Sequence, residues 1–286
     1  MAMYRKWLRK WTAWRRSCAE RWFRAGTVLL GRYSIVKPLG EGSYGVAYLC
    51  RDLRRERLCV LKRIQPMRGG KARTKAVYGL ETEMLTKLQH PSIPRLYERF
   101  VHRGYSCFTM EFAPGTSLEK LLFDDGVTFS EEDSLMIVEK LLGILDFVHR
   151  QGIVHRDVRI ANVIIDGDAV RLIDFGLARR LSNAADGRLP DDVYESDPME
   201  KQIRRRIDVT SDFYALGHLL LFMLYSRTQP LSPNLERSWE EELTLMPETK
   251  KLLRRLLLAE QPSYTHAAQV QADVRAVLKR LRAVAT

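Results

Sequence analysis

The sequence predicts an α+β chain in two lobes, a small β-rich one followed by a larger, mainly α-helical one. Three observations lead there. From Tyr33 to Lys62 the apolar residues alternate, are often β-branched, and are interrupted by a glycine-rich turn. From Ser130 onward most regular segments take helical spacing instead. No Pro/Gly-rich or low-complexity linker divides the chain, and 286 residues suffice for one large core or for two lobes sharing a cleft.

After the first strands the period changes at about Lys75–Leu88, where Val77, Leu80, Met84, Leu85 and Leu88 share one helical face. Short strands are expected around Leu96–Val101 and Ser106–Phe112, then a turn at Pro114-Gly115. Ser130 followed by Glu131, Glu132 and Asp133 has the makings of a helix start. A hydroxyl there can accept from the open N–H groups, and acids suit the positive end of the dipole. That helix runs into the amphipathic stretch Ile137–Val148, and further helices are expected at Ser211–Tyr225, Glu248–Leu258 and His266–Ala283. Phe213–Tyr225 is the most apolar run, but it is too short to span a bilayer and reads as a buried core helix. No repeat of solenoid period and no signal-peptide pattern is visible.

The formal charge of +12 comes from 47 basic and 35 acidic residues, and it belongs to the two ends. Residues 1–24 contribute +7 and residues 248–286 contribute +5, which leaves 25–247 neutral. A basic balance suggests nucleic acid or an anionic membrane, but carried at the two ends it says little about the chemistry in the middle. No nucleic-acid partner is expected, because such contact needs no tryptophan stripe. The cysteines Cys18, Cys50, Cys59 and Cys107 are scattered, without a Cys-x-x-Cys pair, which argues against a disulfide framework or a zinc site and for a reducing, cytoplasmic setting.

Residues 1–31 form a basic, Trp-rich extension. On a helical wheel Tyr4, Trp7, Trp11, Trp14, Cys18 and Trp22 fall within an arc of about 80°, with Arg5, Lys6, Arg9, Arg16 and Arg24 opposite. Such a stripe suits a helix lying in an anionic membrane interface at the inner face. It equally suits packing on the small lobe, and the two readings stand side by side.

The chemistry begins at Gly40-Glu41-Gly42-Ser43-Tyr44-Gly45, a G-x-G-x-x-G loop whose backbone can approach polyphosphate. A dinucleotide fingerprint should open a helix. Here Val46-Ala47-Tyr48-Leu49-Cys50 continues as a strand, which favours a flap over phosphates. The apolar strand Leu58-Cys59-Val60-Leu61 ends in Lys62. Glu81 lies inside the apolar stripe of its helix, where a carboxylate is costly unless a cation pairs with it, and Lys62 is the candidate. A Glu81 at the stripe's margin, reaching out to water, is the alternative.

The second part supplies His155-Arg156-Asp157-Val158-Arg159-Ile160-Ala161-Asn162, the strand-like Val163-Ile164-Ile165, and a short turn leading to Asp174-Phe175-Gly176. A short hairpin brings Asp157, Asn162 and Asp174 to one place, and their oxygens suit Mg²⁺.

In these motifs the chain resembles the eukaryotic-type (Hanks-type) protein kinases, from about Tyr33 to the C-terminus, and in size it resembles small single-domain bacterial serine/threonine members. The resemblance implies a bilobal protein-kinase-like fold over residues 32–286, with an N-lobe at about 32–110, a hinge at about 111–116 and a C-lobe at about 117–286. It implies an ATP- and Mg²⁺-dependent (or Mn²⁺-dependent) kinase acting on hydroxyl side chains of protein substrates, serine/threonine preferred over tyrosine. Gly40, Gly42 and Gly45 resemble the phosphate-covering loop, Lys62 the α/β-phosphate lysine, and Glu81 its partner. Met110 is similar to the gatekeeper, and Glu111, Phe112 and Ala113 to the hinge that meets adenine. Ala47, Val60 and Ile164 join them around the nucleotide. Asp157 resembles the aspartate that accepts the substrate hydroxyl proton, with Lys62 and Arg159 beside it in the catalytic set. Asn162 and Asp174 resemble the metal ligands, and Asp212 the buried brace of the catalytic loop.

The chain also departs from the family. Arg159 stands where serine/threonine kinases carry Lys. The Ala-Pro-Glu motif is reduced to Pro198-Met199-Glu200, and Pro262-Ser263-Tyr264-Thr265 fills the stretch where an arginine partner for Glu200 is expected. Between Asp174 and Glu200 there is no threonine, only Ser182, Tyr194 and Ser196, with Asp191, Asp192, Glu195 and Asp197 as an acidic group that either supplies negative charge to Arg156 or is a solvated loop. Arg179-Arg180-Leu181-Ser182 resembles a basophilic acceptor pattern. A pseudokinase scaffold would be expected to lose Lys62, Asp157, Asn162 or Asp174, and a small-molecule phosphotransferase of related fold to lack Arg156 and Asp-Phe-Gly. Every one of these residues is present.

Overall fold

A computed structural model describes residues 22–42, 44–66, 70–181, 198–228 and 237–285. Most of the amphipathic extension, Ser43 of the glycine loop, and the segment holding Ser182, Asp191, Asp192, Tyr194, Glu195, Ser196 and Asp197 lie outside the described residues. The chain forms two compact units. The first comprises residues up to Tyr78 together with Leu96–Phe112, and the second Gly79–Arg95 with everything from Ala113 onward.

The first unit is built on strands β1 (Val28–Leu29), β2 (Tyr33–Glu41), β3 (Gly45–Asp52), β4 (Arg57–Ile64), β5 (Leu96–His102) and β6 (Tyr105–Glu111). They form one antiparallel sheet in the order β1-β2-β3-β4-β6-β5. The period of two sorts the side chains. Leu29, Tyr33, Ile35, Tyr48, Cys50, Cys59, Leu61 and Cys107 make one buried cluster, closed by Phe23. Ala47, Val60, Lys62, Phe108 and Met110 alternate with them along the same strands. The β5–β6 hairpin turns on Arg103 and Gly104 at φ 51° and 79°, the positive pair that suits a two-residue hairpin. Burial pushes the Cys59 thiol up to about 11 and the Cys50 and Cys107 thiols to about 12, so all three are inert core side chains.

One polar device in this sheet has no sequence signal. Arg32 grips Asp52 with two donors at 2.8 and 2.7 Å and gives a third to Glu98 at 2.8 Å. The guanidinium holds the buried Asp52 carboxyl below the usual carboxylate range.

Helix α1 (Gly70–Lys87) starts five residues before the expected Lys75, because its first turn is polar all round and shows no stripe. Its residues from Gly79 belong to the second unit. There follow β7 (Thr116–Ser117), α2 (Leu118–Phe123), α3 (Glu131–Arg150), β8 (Ile153–Val154), a 3-10 turn (Ile160–Asn162), β9 (Val163–Asp166), β10 (Ala169–Leu172), β11 (Arg179–Arg180), α4 (Met199–Arg204), α5 (Val209–Tyr225), α6 (Trp239–Glu242), α7 (Pro247–Leu256) and α8 (Ala267–Ala285). Ser130 caps α3 in a reciprocal box with Asp133, as its sequence suggests. Helix α5 begins at Val209 under an Asp208 cap, two residues earlier than expected, and buries Phe213, Leu216, Leu219, Leu220 and Met223. The short α4 carries no apolar stripe, which is why sequence periodicity does not show it. Among the described residues no helix is long and apolar enough to cross a membrane.

Candidate active site

In the first unit, bulges between Ile35 and Lys37 and between Pro38 and Gly40 bend β2 just before the glycine turn. The turn closes where the Gly42 N–H donates to the Gly45 carbonyl at 2.8 Å. Its glycines serve different ends. A Cβ on Gly45 would stand 2.4 Å from the Arg63 carbonyl oxygen, so the approach of β3 to β4 demands glycine there. At Gly40 no atom lies within 4 Å of a built Cβ, and at Gly42 the nearest is 4.0 Å away. The close approach to polyphosphate expected of all three glycines is thus open to Gly40 and Gly42, while Gly45 answers to the sheet itself.

Lys62 lies on β4 opposite Ala47 on one side and Phe108 on the other, and only 7% of it is exposed. Val60 pairs with Met110 and Cys59 with Glu111, which sets Met110 and Glu111 at the end of β6. At Ala113 the chain returns to the second unit. Two residues on, Gly115 at φ 109° passes so close to β9 that a Cβ would meet the Ile165 carbonyl at 2.2 Å. Glu81, in the second unit, is 1% exposed, so its carboxylate is buried rather than reaching out to water.

The rest of the expected set converges in the second unit. The hairpin pairs Leu172 with Val163, and the Ile173 N–H donates to the Asn162 carbonyl at 2.9 Å, which seats Asp174 beside Asn162. The Asn162 amide nitrogen donates to both the Asp157 carbonyl and its carboxylate Oδ2, each at 2.9 Å. That commits the nitrogen inward and turns the amide oxygen outward, the donor a hard cation prefers. Asp174 takes the left-handed conformation at φ 64°, and its Oδ1 accepts from the Gly176 N–H at 3.2 Å. The residues fit Mg²⁺. Among the described residues no cluster of three or more His, Cys, Asp or Glu side chains forms a metal cage, so the ion would complete its shell with phosphate oxygens and water.

His155 ties the two loops together. Its Nδ1 accepts from the Asp157 N–H at 3.2 Å, so Nε2 carries the proton and donates to the Ile173 carbonyl at 3.3 Å. The ring also meets Phe175 edge to face at 4.6 Å between centroids. Beneath them Asp212, fully buried on the first turn of α5, accepts from the His155 N–H at 2.9 Å, the Arg156 N–H at 2.7 Å and His149 Nε2 at 2.8 Å. Burial opposes its ionisation, but the His149 hydrogen bond and the other donors prevail and hold the carboxyl below the usual range. This brace holds Arg156 at φ 64°, a conformation that costs a non-glycine residue about 1–3 kcal/mol.

Arg159 is half exposed and faces Glu119 of α2 at 3.8 Å. Ile164 lies on β9 between Arg171 of β10 and Ser117 of β7. Arg156 donates to the carbonyls of Arg205 and Leu177 at 2.8 and 3.2 Å. Glu200 pairs with Arg204 one turn along α4 at 2.9 Å. In the Pro262–Thr265 stretch, the Tyr264 hydroxyl donates to Asp273 at 2.6 Å and the Arg255 guanidinium lies over the Tyr264 ring at 3.9 Å. His149 and Arg205 are the site neighbours that sequence reasoning missed. Neither sits in a motif, and only the fold brings them in.

The family model of the protein kinase domain matches residues 33–285. The Bacillus subtilis protein named "Probable serine/threonine-protein kinase YbdM" is 34% identical over 260 residues, which cover 91% of this chain and 94% of that protein. Serine/threonine-protein kinase B of Synechocystis is 28% identical over 268 residues, 85% of this chain but 46% of the relative, so the chain spans under half of that protein. The crystal structure of the Mycobacterium tuberculosis PknI kinase domain aligns with a TM-score of 0.65 at 22% identity, covering 88% of this chain and 98% of that one.

Proposed function

The chain belongs to the protein kinase family, and we infer that it is a serine/threonine protein kinase that moves the γ-phosphoryl group of ATP to hydroxyl side chains of other proteins with the help of Mg²⁺. The observation that carries the reading is the Asp157 carboxylate held by Asn162, whose carbonyl in turn takes the N–H of Ile173 just before Asp174. Asp157 accepts the proton of the attacking hydroxyl. Asn162 and Asp174 hold the metal, whose charge offsets that of the phosphates. Lys62 takes the α/β-phosphates under the backbone of Gly40 and Gly42. Met110, Glu111 and Ala113 meet the adenine, with Ala47, Val60 and Ile164 around it, and Arg159 supplies a cation for the γ-phosphate. Catalysis of this kind rests on positioning and charge neutralisation.

The test is transfer from γ-labelled ATP with Mg²⁺ to casein, followed by phosphoamino-acid analysis. Wild-type protein should label serine or threonine, and Asp157→Asn should lower transfer ~100-fold or more while ATP affinity stays within about twofold. Binding of ATP without transfer would make the protein a pseudokinase. Transfer to small molecules alone would make it a related phosphotransferase, and label confined to tyrosine would overturn the serine/threonine assignment.

For the extension, whose residues 1–21 lie outside the described ones, we propose the same two readings side by side, an anionic membrane surface or packing on the first unit, and only residues 22 and 23 bear on them. Phe23 is 3% exposed, stacks on Tyr48 at 5.6 Å, and meets Tyr105 and His102 edge-on, with the Arg63 guanidinium 5.0 Å from its ring. Trp22, the last member of the tryptophan stripe, lies beside the Arg103 guanidinium at 5.6 Å. The four scattered cysteines, without a Cys-x-x-Cys pair, support a cytoplasmic setting. Sedimentation with anionic vesicles at low salt separates the two: co-sedimentation that is lost when residues 1–20 are removed establishes the membrane reading, and a full chain that stays in the supernatant establishes packing on the protein.

A further inference from the structure

Arg204-Arg205-Arg206 is a basic run with no apolar pattern, and nothing in it singles out the middle residue. The fold does. Arg205 ends α4, where its N–H donates to the carbonyls of Lys201 and Ile203. Its own carbonyl accepts from Arg156 Nε at 2.8 Å, and its Nη1 donates to the Arg156 carbonyl at 3.0 Å. Two like-charged residues thus hold each other through backbone oxygens, each guanidinium committed to the other's carbonyl. The exchange aims Arg205 Nη2 at Asp157 Oδ1, 3.6 Å away.

The opposite carboxylate oxygen, Oδ2, takes the Asn162 amide at 2.9 Å. Asp157 therefore stands between two anchors, one from its own loop and one from the end of α4. The terminal torsion of an aspartate is broad, so a single anchor leaves the carboxylate free to swing. A rigid, planar guanidinium on the second oxygen narrows that swing. At 3.6 Å the contact is longer than a hydrogen bond, so it works through charge and leaves the lone pairs of Oδ1 open to an acceptor hydroxyl. The Arg205 and Asp157 side chains are 24% and 20% exposed, which shields the pair from much of the solvent that weakens surface ion pairs. Arg159, two residues beyond the aspartate, faces Glu119 instead.

We propose that Arg205 is a positioning residue for phosphoryl transfer, which orients the Asp157 carboxylate and couples it to the seat of α4. This rests on the kinase reading above. Because Arg205 terminates α4, a shift of that helix draws the guanidinium off the carboxylate and leaves the base on the Asn162 anchor alone.

The experiment uses the full chain with γ-labelled ATP, Mg²⁺ and casein, comparing wild type, Arg205→Ala, Arg205→Lys, Asp157→Asn and the double variant Asp157→Asn/Arg205→Ala, with thermal midpoints for each. Arg205→Ala should lower kcat ~10-fold, with KM for ATP within about twofold, since positioning of the base and not nucleotide binding is lost. Arg205→Lys, which restores the charge but not the fork, should recover part of the loss. In the Asp157→Asn background, removing Arg205 should cost less than about twofold, because the group it acts through is already disabled. A merely structural arginine would lower the thermal midpoint and cost as much in either background. The proposal is overturned if kcat for Arg205→Ala stays within twofold of wild type, if the loss persists in full beside Asp157→Asn, or if Lys restores nothing. A wild-type protein that transfers nothing to casein or to itself would refute the kinase reading first, and this inference with it.

Discussion

Replacing Asp212 with Asn keeps shape and volume and removes one charge from the brace beneath the catalytic loop. In the wild type Oδ1 accepts from the Arg156 N–H at 2.7 Å, while Oδ2 accepts from the His155 N–H at 2.9 Å and from His149 Nε2 at 2.8 Å. An amide has one oxygen for these donors. The least costly arrangement keeps that oxygen toward His155 and His149 and sets the NH₂ against the Arg156 N–H. The charge-assisted bond from the Arg156 N–H is lost, and that N–H is left facing the amide's own donors with no acceptor, a cost of about 3–5 kcal/mol. Arg156, at φ 64°, then loses the contact that compensates its backbone conformation. For a chain of this size the melting midpoint should fall by roughly 10 °C, and kcat should fall as the loop carrying Asp157 loosens. Acid pH supplies a second, signed check. The Asp212 carboxyl lies below its ordinary value, so its contribution is complete above about pH 4 and is lost as pH falls through the folded value. Thermal scans of both proteins from pH 7 downward should therefore show the gap closing on acidification. A variant melting within about 2 °C of wild type at pH 7 would refute the reasoning, as would a gap that widens at acid pH.

Three further outcomes are expected. Asp174→Asn should abolish the Mg²⁺-dependent part of ATP binding in calorimetry while leaving the melting midpoint of the apoprotein within a few degrees, because its Oδ1 contact to Gly176 can be kept by the amide oxygen. Phe23→Ala should cost about 3–5 kcal/mol in urea unfolding, since a buried ring packed against Tyr48, Tyr105 and Arg63 leaves a cavity the sheet cannot close. Arg32→Ala should destabilise by a similar ~3–5 kcal/mol at neutral pH and by less below about pH 4, where Asp52 takes up a proton, measured as the shift in urea midpoint.

Much of the site was legible because its chemistry is local in sequence. Asp157 and Asn162 share one loop, and Asp174 follows after a hairpin too short to place it elsewhere, so residue type and spacing sufficed to gather them. Glu81 was legible from periodicity alone, as an acid among Val77, Met84, Leu85 and Leu88, and its burial follows from the helix pitch. The capping box at Ser130 and the alternating β3 and β4 strands were readable for the same reason: the interactions that define them lie within a few residues.

What the sequence by itself determined, then, was the order of strands and helices, the apolar faces, and the reactive groups carried on contiguous motifs. The tertiary structure decided how distant polar groups satisfy one another. Gly45 is required by the Arg63 carbonyl of the next strand, and Arg32 finds Asp52 and Glu98 across the sheet. His149 closes the Asp212 brace from the end of α3, and Arg205 reaches Asp157 from the end of α4. Such contacts leave no periodic trace, because they are fixed by the three-dimensional approach of backbones that the chain connects only through long detours. A buried charge must find its partner wherever the packing of the surrounding apolar faces happens to deliver one.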